Sequence, residues 1–142
     1  MKKINATRVV LGGLVAGLII NIVEAVMNNT VIKQQMADAL AVRNLPPLAG
    51  SKILALLITD FALGVAAVWT YAAIQPRSGA GKRTAVIAGF VVWLSGYLIA
   101  GLTSMAMGLF PPSLMAIVFG YSLVQMIVAA MAGASLYRES SV

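Results

Sequence analysis

Four apolar runs, each long enough to cross a bilayer, constrain this chain more than any other feature. They lie at about 7–29, 52–74, 84–109 and 113–136. A transmembrane helix needs about 20 predominantly apolar residues, and every run exceeds that length. With 61% hydrophobic and 10% charged residues, the 142-residue chain has too little polar sequence for a separate water-soluble domain. The sequence therefore predicts an all-α integral membrane protein, a four-transmembrane-helix bundle that forms one domain over residues 1–142.

The first run is predicted to be a transmembrane helix that stays attached rather than a signal peptide. It is longer than the roughly 7–15 residues of a signal-peptide core, and Glu24 lies within it. In the polar interval that follows, apolar residues recur at helical spacing between 31 and 43. This interval predicts either an extension of the first helix or a short helix on the membrane surface.

Basic residues are distributed unequally between the two sides of the predicted bundle. Seven lie at the two termini and in the central loop, and three lie on the other side. The seven are Lys2, Lys3, Arg8, Arg77, Lys82, Arg83 and Arg138, and the three are Lys33, Arg43 and Lys52. The positive-inside rule then places both termini in the cytoplasm, for a multi-pass protein of a bacterial inner membrane. Basic residues at the ends of apolar runs also argue against nucleic-acid binding, despite a net charge of +6.

A stripe of small and polar residues follows one face of the first helix. Gly13, Gly17, Asn21, Glu24 and Asn28 are spaced by four, four, three and four residues, which places them on a single face. The two glycines permit close approach of another helix, either from the same chain or from a second protomer. The polar members need partners that lipid does not supply.

Two carboxylates are expected at similar depth in the outer half of the membrane. At 1.5 Å per residue, Glu24 lies roughly 9 Å and Asp60 roughly 5 Å from the middle of their helices. Polar residues at comparable levels complete one predicted ligand- or proton-binding cluster: Asn21, Glu24, Asn28, Asp60, Ser104, Ser122 and Gln125. No Lys, Arg or His is expected at that depth, although an ionised carboxylate in a low dielectric is costly without a counter-charge.

This unbalanced acidity leaves three interpretations open. The acids stay protonated and hydrogen-bonded, they share one proton, or they face a wet cavity and bind a proton, metal ion or organic ammonium. A structural interpretation competes with all three, because amides, hydroxyls and a protonated Glu also join membrane helices. The aromatic residues Trp69, Tyr71, Trp93 and Tyr97 are interpreted as an interface belt or as packing.

The absence of two residue types excludes most membrane redox chemistry. Without Cys there are no thiolate ligands or thiol nucleophiles, and without His there is no His-ligated haem or zinc. We therefore predict no cofactor and no resident metal centre. An enzyme has no specific support, since only carboxylate-based lipid chemistry remains.

The first helix carries the pattern Gly-x-x-x-Gly-x-x-x-Asn-x-x-Glu, and the second ends in Tyr71-Ala72-Ala73-Ile74-Gln75-Pro76-Arg77. Together they resemble small uncharacterised four-span bacterial membrane proteins. The resemblance implies the four-span fold and brings no activity with it. A glutamate in the first of four spans is also similar to small multidrug resistance transporters, but the motif of those shorter chains does not match here.

The leading functional hypothesis is a buried carboxylate site that binds a proton, a cation or a cationic small molecule, as in a small transporter. The alternative is a non-catalytic accessory or assembly subunit of a larger membrane complex, which the glycine-rich faces and the lack of catalytic groups favour. The expected partners are the lipid bilayer and either further copies of the chain or the other subunits of a complex.

Overall fold

The computed structural model describes residues 4–138, and every regular element in that range is a helix. The helices are α1 (Ala6–Thr30), α2 (Lys33–Ala41), α3 (Ser51–Ser78), α4 (Lys82–Ala106) and α5 (Pro112–Ser135). All except α2 are long and apolar enough to cross a membrane. This confirms the predicted all-helical fold with four spans. Lys2 and Lys3, which contribute to the predicted charge asymmetry, lie outside the described residues.

The four long helices alternate in direction, and both ends of the described chain lie at the same end of the bundle. The backbone N–H of Asn5 donates to the hydroxyl of Tyr137 over 3.4 Å. Tyr71, near the end of α3, packs edge-on against Tyr137 with ring centroids 6.0 Å apart. The hydroxyl of Tyr71 also accepts a bond from the backbone N–H of Gly81 at 3.2 Å. We name this end the terminal end and the opposite one, which carries α2, the α2 end.

Helix α1 packs most closely against α3, and both helices carry glycine at this contact. A Cβ at Gly13 would lie 2.5 Å from the Cα of Val65, and one at Gly17 would lie 2.7 Å from the Cα of Phe61. A Cβ at Gly64 would collide with the backbone of α1. Any side chain at these positions would push the helices apart, so the glycine stripe of α1 finds its partner within the chain.

Small residues also close the core of the bundle towards the terminal end. Gly12 and Gly133 bring α1 and α5 together, since a Cβ on either would lie 2.5–2.6 Å from the carbonyl oxygen of the other. The buried residues between the four long helices are Ala16, Ile20, Ala67, Val68, Ala88, Met126, Ala129 and Ala130. Close helix approach leaves little internal space in this half of the bundle.

Helix α2 is separate from α1 and lies against the start of α5. The chain turns after Thr30, where the N–H of Ile32 bonds to the carbonyl of Met27 at 3.0 Å. Ile32 and Ala39 are buried in one cluster with Leu114 and Met115 of α5. Of the two structures expected between 31 and 43, the chain therefore adopts the separate short helix.

Helix α4 ends at Ala106, before the predicted boundary at 109. Gly108 adopts a φ of 69°, and its N–H bonds to the carbonyl of Met105 at 2.9 Å. The N–H of Leu109 bonds back to the carbonyl of Ser104 at 2.8 Å. This pair of bonds around a left-handed glycine is a Schellman cap, which stops the helix at this point.

Helix α3 continues past the predicted boundary at 74 and through Pro76 to Ser78. Proline has no backbone N–H, so Pro76 cannot bond to the carbonyl four residues earlier. The helix ends two residues later, so the missing bond affects only its last turn. Gly79, with a φ of 81°, ends the helix and donates its N–H to the carbonyl of Gln75 at 2.9 Å.

Candidate functional site

The Glu24 carboxylate is the centre of a polar network that joins α1, α4 and α5. Its Oε1 accepts hydrogen bonds from the hydroxyl of Tyr97 at 2.9 Å and from Nε2 of Gln125 at 2.8 Å. Its Oε2 accepts from the hydroxyl of Tyr121 at 2.9 Å and from Nδ2 of Asn28 at 3.2 Å. The Nε2 of Gln125 also donates to the Tyr97 oxygen at 2.9 Å. All four donors to the carboxylate are neutral groups.

These donors match the full hydrogen-bonding capacity of an ionised carboxylate. Its two oxygens offer about four lone-pair sites, and four donors occupy them. Because Gln125 gives one N–H to Glu24 and the other to Tyr97, the hydroxyl hydrogen of Tyr97 points to Glu24. With the Gln125 amide in this orientation, its Oε1 has no partner among the described residues. The network thus supplies Glu24 with neutral donors from three helices.

The local structure of each helix brings these donors to one place. Tyr97 lies in a π-helical stretch of α4, Leu94–Ile99. Such wider turns are rare, and they interrupt α-helices most often at functional sites. Tyr121 and Gln125 lie four residues apart on α5, so they share a face of that helix, as Glu24 and Asn28 do on α1.

Asn21 connects α1 to α3, three residues before Glu24. Its Nδ2 donates to the carbonyl of Gly17 at 2.9 Å and to the carbonyl of Leu57 at 3.4 Å. A flipped amide would place Oδ1 against both carbonyl oxygens, so these two contacts determine the orientation of the group. Asn21 therefore belongs to the close contact between α1 and α3.

Asp60 differs from Glu24 in having no internal partner. It is partly buried on α3, and within residues 4–138 no side chain forms a hydrogen bond to its carboxylate. It lies one turn beyond Leu57, the residue whose carbonyl contacts Asn21. The two carboxylates thus differ in their hydrogen bonds: the oxygens of Glu24 are occupied, and those of Asp60 have no donor within residues 4–138.

A cavity of about 510 Å³ separates α3 from α1 and α2 at the α2 end of the bundle. Glu24, Asp60 and Lys33 contribute the charged groups of its wall, and Asn21, Asn28 and Asn29 contribute amides. The rest of the wall is apolar: Ala25, Met36, Ala37, Leu40, Ala41, Leu45, Pro47, Leu48, Ile53, Leu56 and Leu57. Both carboxylates therefore face one mostly apolar space.

Five residues of the predicted cluster come together and two do not. Asn28 and Gln125 both donate to Glu24 in the network, and Asn21 and Asp60 line the adjoining cavity. The remaining two, both serines, lie elsewhere.

The two serines each have a local role. The buried hydroxyl of Ser122 accepts a hydrogen bond from the indole N–H of Trp93 at 3.0 Å. Ser104 lies near the end of α4, where its hydroxyl donates to the carbonyl of Ala100 at 2.9 Å. Ser122 therefore joins α5 to α4, and Ser104 bonds only within its own helix.

Sequence reasoning missed Tyr97, Tyr121 and Lys33. It assigned Tyr97 to a belt or to packing, whereas the Tyr97 hydroxyl bonds to Glu24. The four-residue spacing from Tyr121 to Gln125 is a signal that points to a shared polar face on α5. Lys33 is exposed at the start of α2, and only the return of α2 over the cavity brings it near the two acids.

Comparisons with protein-family models, curated proteins and solved structures found no match for this chain. Its class therefore follows from the structure itself. Four long apolar helices define a multi-pass membrane protein that contacts the lipid bilayer, with one polar network and one adjoining cavity as its candidate site.

Proposed function

We propose that this membrane protein binds an organic cation in the cavity between α1, α2 and α3. Asp60 carries the proposal, since it is a carboxylate without an internal partner on a mostly apolar wall. A carboxylate in such surroundings is costly unless a positive charge accompanies it. Glu24, held by its own donors, faces the same cavity and adds a second negative charge that attracts a cation.

The composition of the wall favours an organic ammonium over a metal ion. A hard cation such as Ca²⁺ takes about six or more oxygen ligands. Within residues 4–138, no group of three His, Cys, Asp or Glu side chains is arranged to hold one. An apolar wall with a few polar groups is typical of sites for small organic molecules. One available carboxylate among Met36, Leu40 and Leu56 fits such a ligand.

Lys33 reduces the negative charge of the cavity without reversing it. With both carboxylates ionised, the wall carries two negative charges against the single positive charge of Lys33. Lys33 is exposed at the first position of α2 and lies on a flexible stem. The cavity therefore keeps a preference for cations, and Lys33 tunes its strength.

The proposal extends to the orientation and location of the protein. The excess of basic residues at the terminal end supports a cytoplasmic position for that end, in a bacterial inner membrane. The cavity at the α2 end would then face outwards. Transport would require a path through the terminal half, where the core is closed by small residues, so we propose that a transporting form is a homo-oligomer.

The test measures binding of butylammonium to the full chain in lipid nanodiscs by isothermal titration calorimetry. We expect Asp60→Asn to weaken binding about tenfold or more, because truncating one member of a buried charge pair costs at least about 2 kcal/mol. Asp38→Asn is the matched control, since Asp38 is exposed on α2 and does not line this cavity.

Two results would contradict the proposal. One is equal affinity of the wild type and Asp60→Asn for butylammonium. The other is wild-type affinity for butylammonium no higher than for uncharged butanol, which would show that charge does not contribute.

A second candidate function is an accessory or assembly subunit of a larger membrane complex. The observation that favours it is the start of α3, where residues 51–59 are exposed on every face. A partner helix seated there would bury them. Purification from native membranes decides this alternative, because a homogeneous particle that contains only this chain would contradict it.

A further inference from the structure

Helix α3 leaves the bundle at its first nine residues, 51–59, all of which are exposed. Leu54 and Ile58, which do not line the cavity, are 57% and 60% exposed. Leu56 and Leu57, which do line it, are still 49% and 40% exposed. From Gly64 onwards the same helix buries one face. Leu57 still contacts α1, since its carbonyl accepts from Asn21. Before Leu57, the start of α3 is separated from α2 and the end of α1 by a gap that opens into the cavity.

The gap forms an apolar slot that runs from Asp60 towards the α2 end. Ile53, Leu56 and Leu57 line it on α3, and Met36 on α2 contributes to the same cavity wall. At 1.5 Å per residue, Ile53 lies roughly 10 Å along the helix from Asp60. A compact ammonium ion bound at Asp60 would leave this slot unfilled.

We infer that the ligand is an amphiphilic ammonium, with its charged group at Asp60 and a single apolar chain in the slot beside Ile53, Leu56 and Leu57. The inference rests on the proposed function and names the class of cation. Asp60 selects the charged group, because it lacks a partner and Glu24 adds a second negative charge nearby. The leucines select the chain, because burying methylene groups against them is favourable and burying a polar chain is not.

The positive charge distinguishes this occupant from others that would cover the same leucines. An uncharged apolar chain or a partner helix would bury Leu56 and Leu57 but would leave Asp60 without a counter-charge. A ligand with both a positive charge and an apolar chain pairs with Asp60 and also covers Leu56 and Leu57. The experiment therefore varies the charge and the chain separately.

The experiment compares decylammonium with butylammonium on the full chain in nanodiscs. We expect Ile53→Trp, which fills the far end of the slot roughly 10 Å from Asp60, to weaken decylammonium binding about tenfold. Butylammonium, whose short chain does not extend that far, should stay within about twofold. Leu54→Trp is the matched control, because Leu54 lies on the same turns of α3 but not on the cavity wall. Partition of decylammonium into lipid is the same for every variant and cancels in the comparison.

The outcomes separate this inference from the proposed function. If Ile53→Trp binds decylammonium as well as the wild type does, and butylammonium still binds, the inference is overturned and the proposed function stands. If the wild type binds neither probe, or binds decanol as tightly as decylammonium, the proposed function fails as well. If Ile53→Trp weakens both probes equally, the inference is overturned.

Discussion

Glu24 and Asp60 are two carboxylates on neighbouring helices, and both line one cavity, yet the protein treats them in opposite ways. Glu24 receives four hydrogen bonds from neutral donors on three helices. Asp60 receives none from any side chain in the described part of the chain. The bundle thus satisfies Glu24 by internal hydrogen bonds and leaves the oxygens of Asp60 open to the cavity.

The largest expected effect is a loss of stability in Glu24→Ala. Without the carboxylate, the hydroxyls of Tyr97 and Tyr121 and the amide of Gln125 lose their acceptor inside the bundle. Unpaired buried donors cost about 1–3 kcal/mol each, so we expect a loss of about 3 kcal/mol or more in the free energy of unfolding. Reversible unfolding in mixed micelles measures it. Asp60→Ala is the control, and an equal loss in both variants would remove the distinction between the two acids.

Substitution of the two tyrosines tests how much each hydrogen bond to Glu24 contributes to stability. Tyr97→Phe removes a donor to Glu24 and the acceptor for Gln125, and we expect it to cost about 2 kcal/mol. Tyr121→Phe removes one donor to the carboxylate, for an expected cost of about 1.5 kcal/mol. Tyr71→Phe is the control, because Tyr71 bonds to a neutral backbone N–H. Losses of stability in Tyr97→Phe and Tyr121→Phe no larger than in Tyr71→Phe would contradict stronger, charge-assisted bonds to Glu24.

Substitution of Lys33 is expected to have a smaller effect, and that effect is on ligand binding. Removing its charge with Lys33→Met makes the cavity more negative and should strengthen butylammonium binding about threefold, as an exposed charge pair is worth well under 1 kcal/mol. Calorimetry in nanodiscs checks this, with Lys52→Met as the control because Lys52 does not line the cavity. Equal effects of both substitutions would mean that only the overall charge of the protein matters.

The smallest expected effect is that of Asp60→Asn on stability. Since Asp60 receives no side-chain hydrogen bond within residues 4–138, we expect the free energy of unfolding to change by less than about 0.5 kcal/mol. The same micelle assay measures this change. A loss comparable to that of Tyr97→Phe would show that Asp60 has a structural partner after all.

Much of the fold could be predicted from the sequence because hydropathy, charge and helical spacing are local properties. The four spans follow from the length of the apolar runs. The spacing of Gly13 and Gly17 predicted a close helix contact, and Gly64 of α3 provides it. Helix rise alone placed Glu24 and Asp60 at similar depth, and they line the same cavity.

The rest depends on contacts between distant parts of the chain. Tyr97 bonds to Glu24 from a π-helical stretch in α4, and no local pattern identified that stretch. Ser104 bonds to the carbonyl of Ala100 instead of joining the network. The open position of Asp60 could not be predicted either, because it depends on how the start of α3 sits against α1 and α2.

Infrared difference spectroscopy with residue-specific isotope labels tests the central distinction most directly. Carboxylate bands of labelled aspartate and of labelled glutamate are recorded in nanodiscs before and after addition of butylammonium. The account predicts a shift in the aspartate band that disappears in Asp60→Asn, with an unchanged glutamate band. A shift in the glutamate band that disappears in Glu24→Gln, with the aspartate band unchanged, would mean that Glu24 is the ligand carboxylate and would contradict the account.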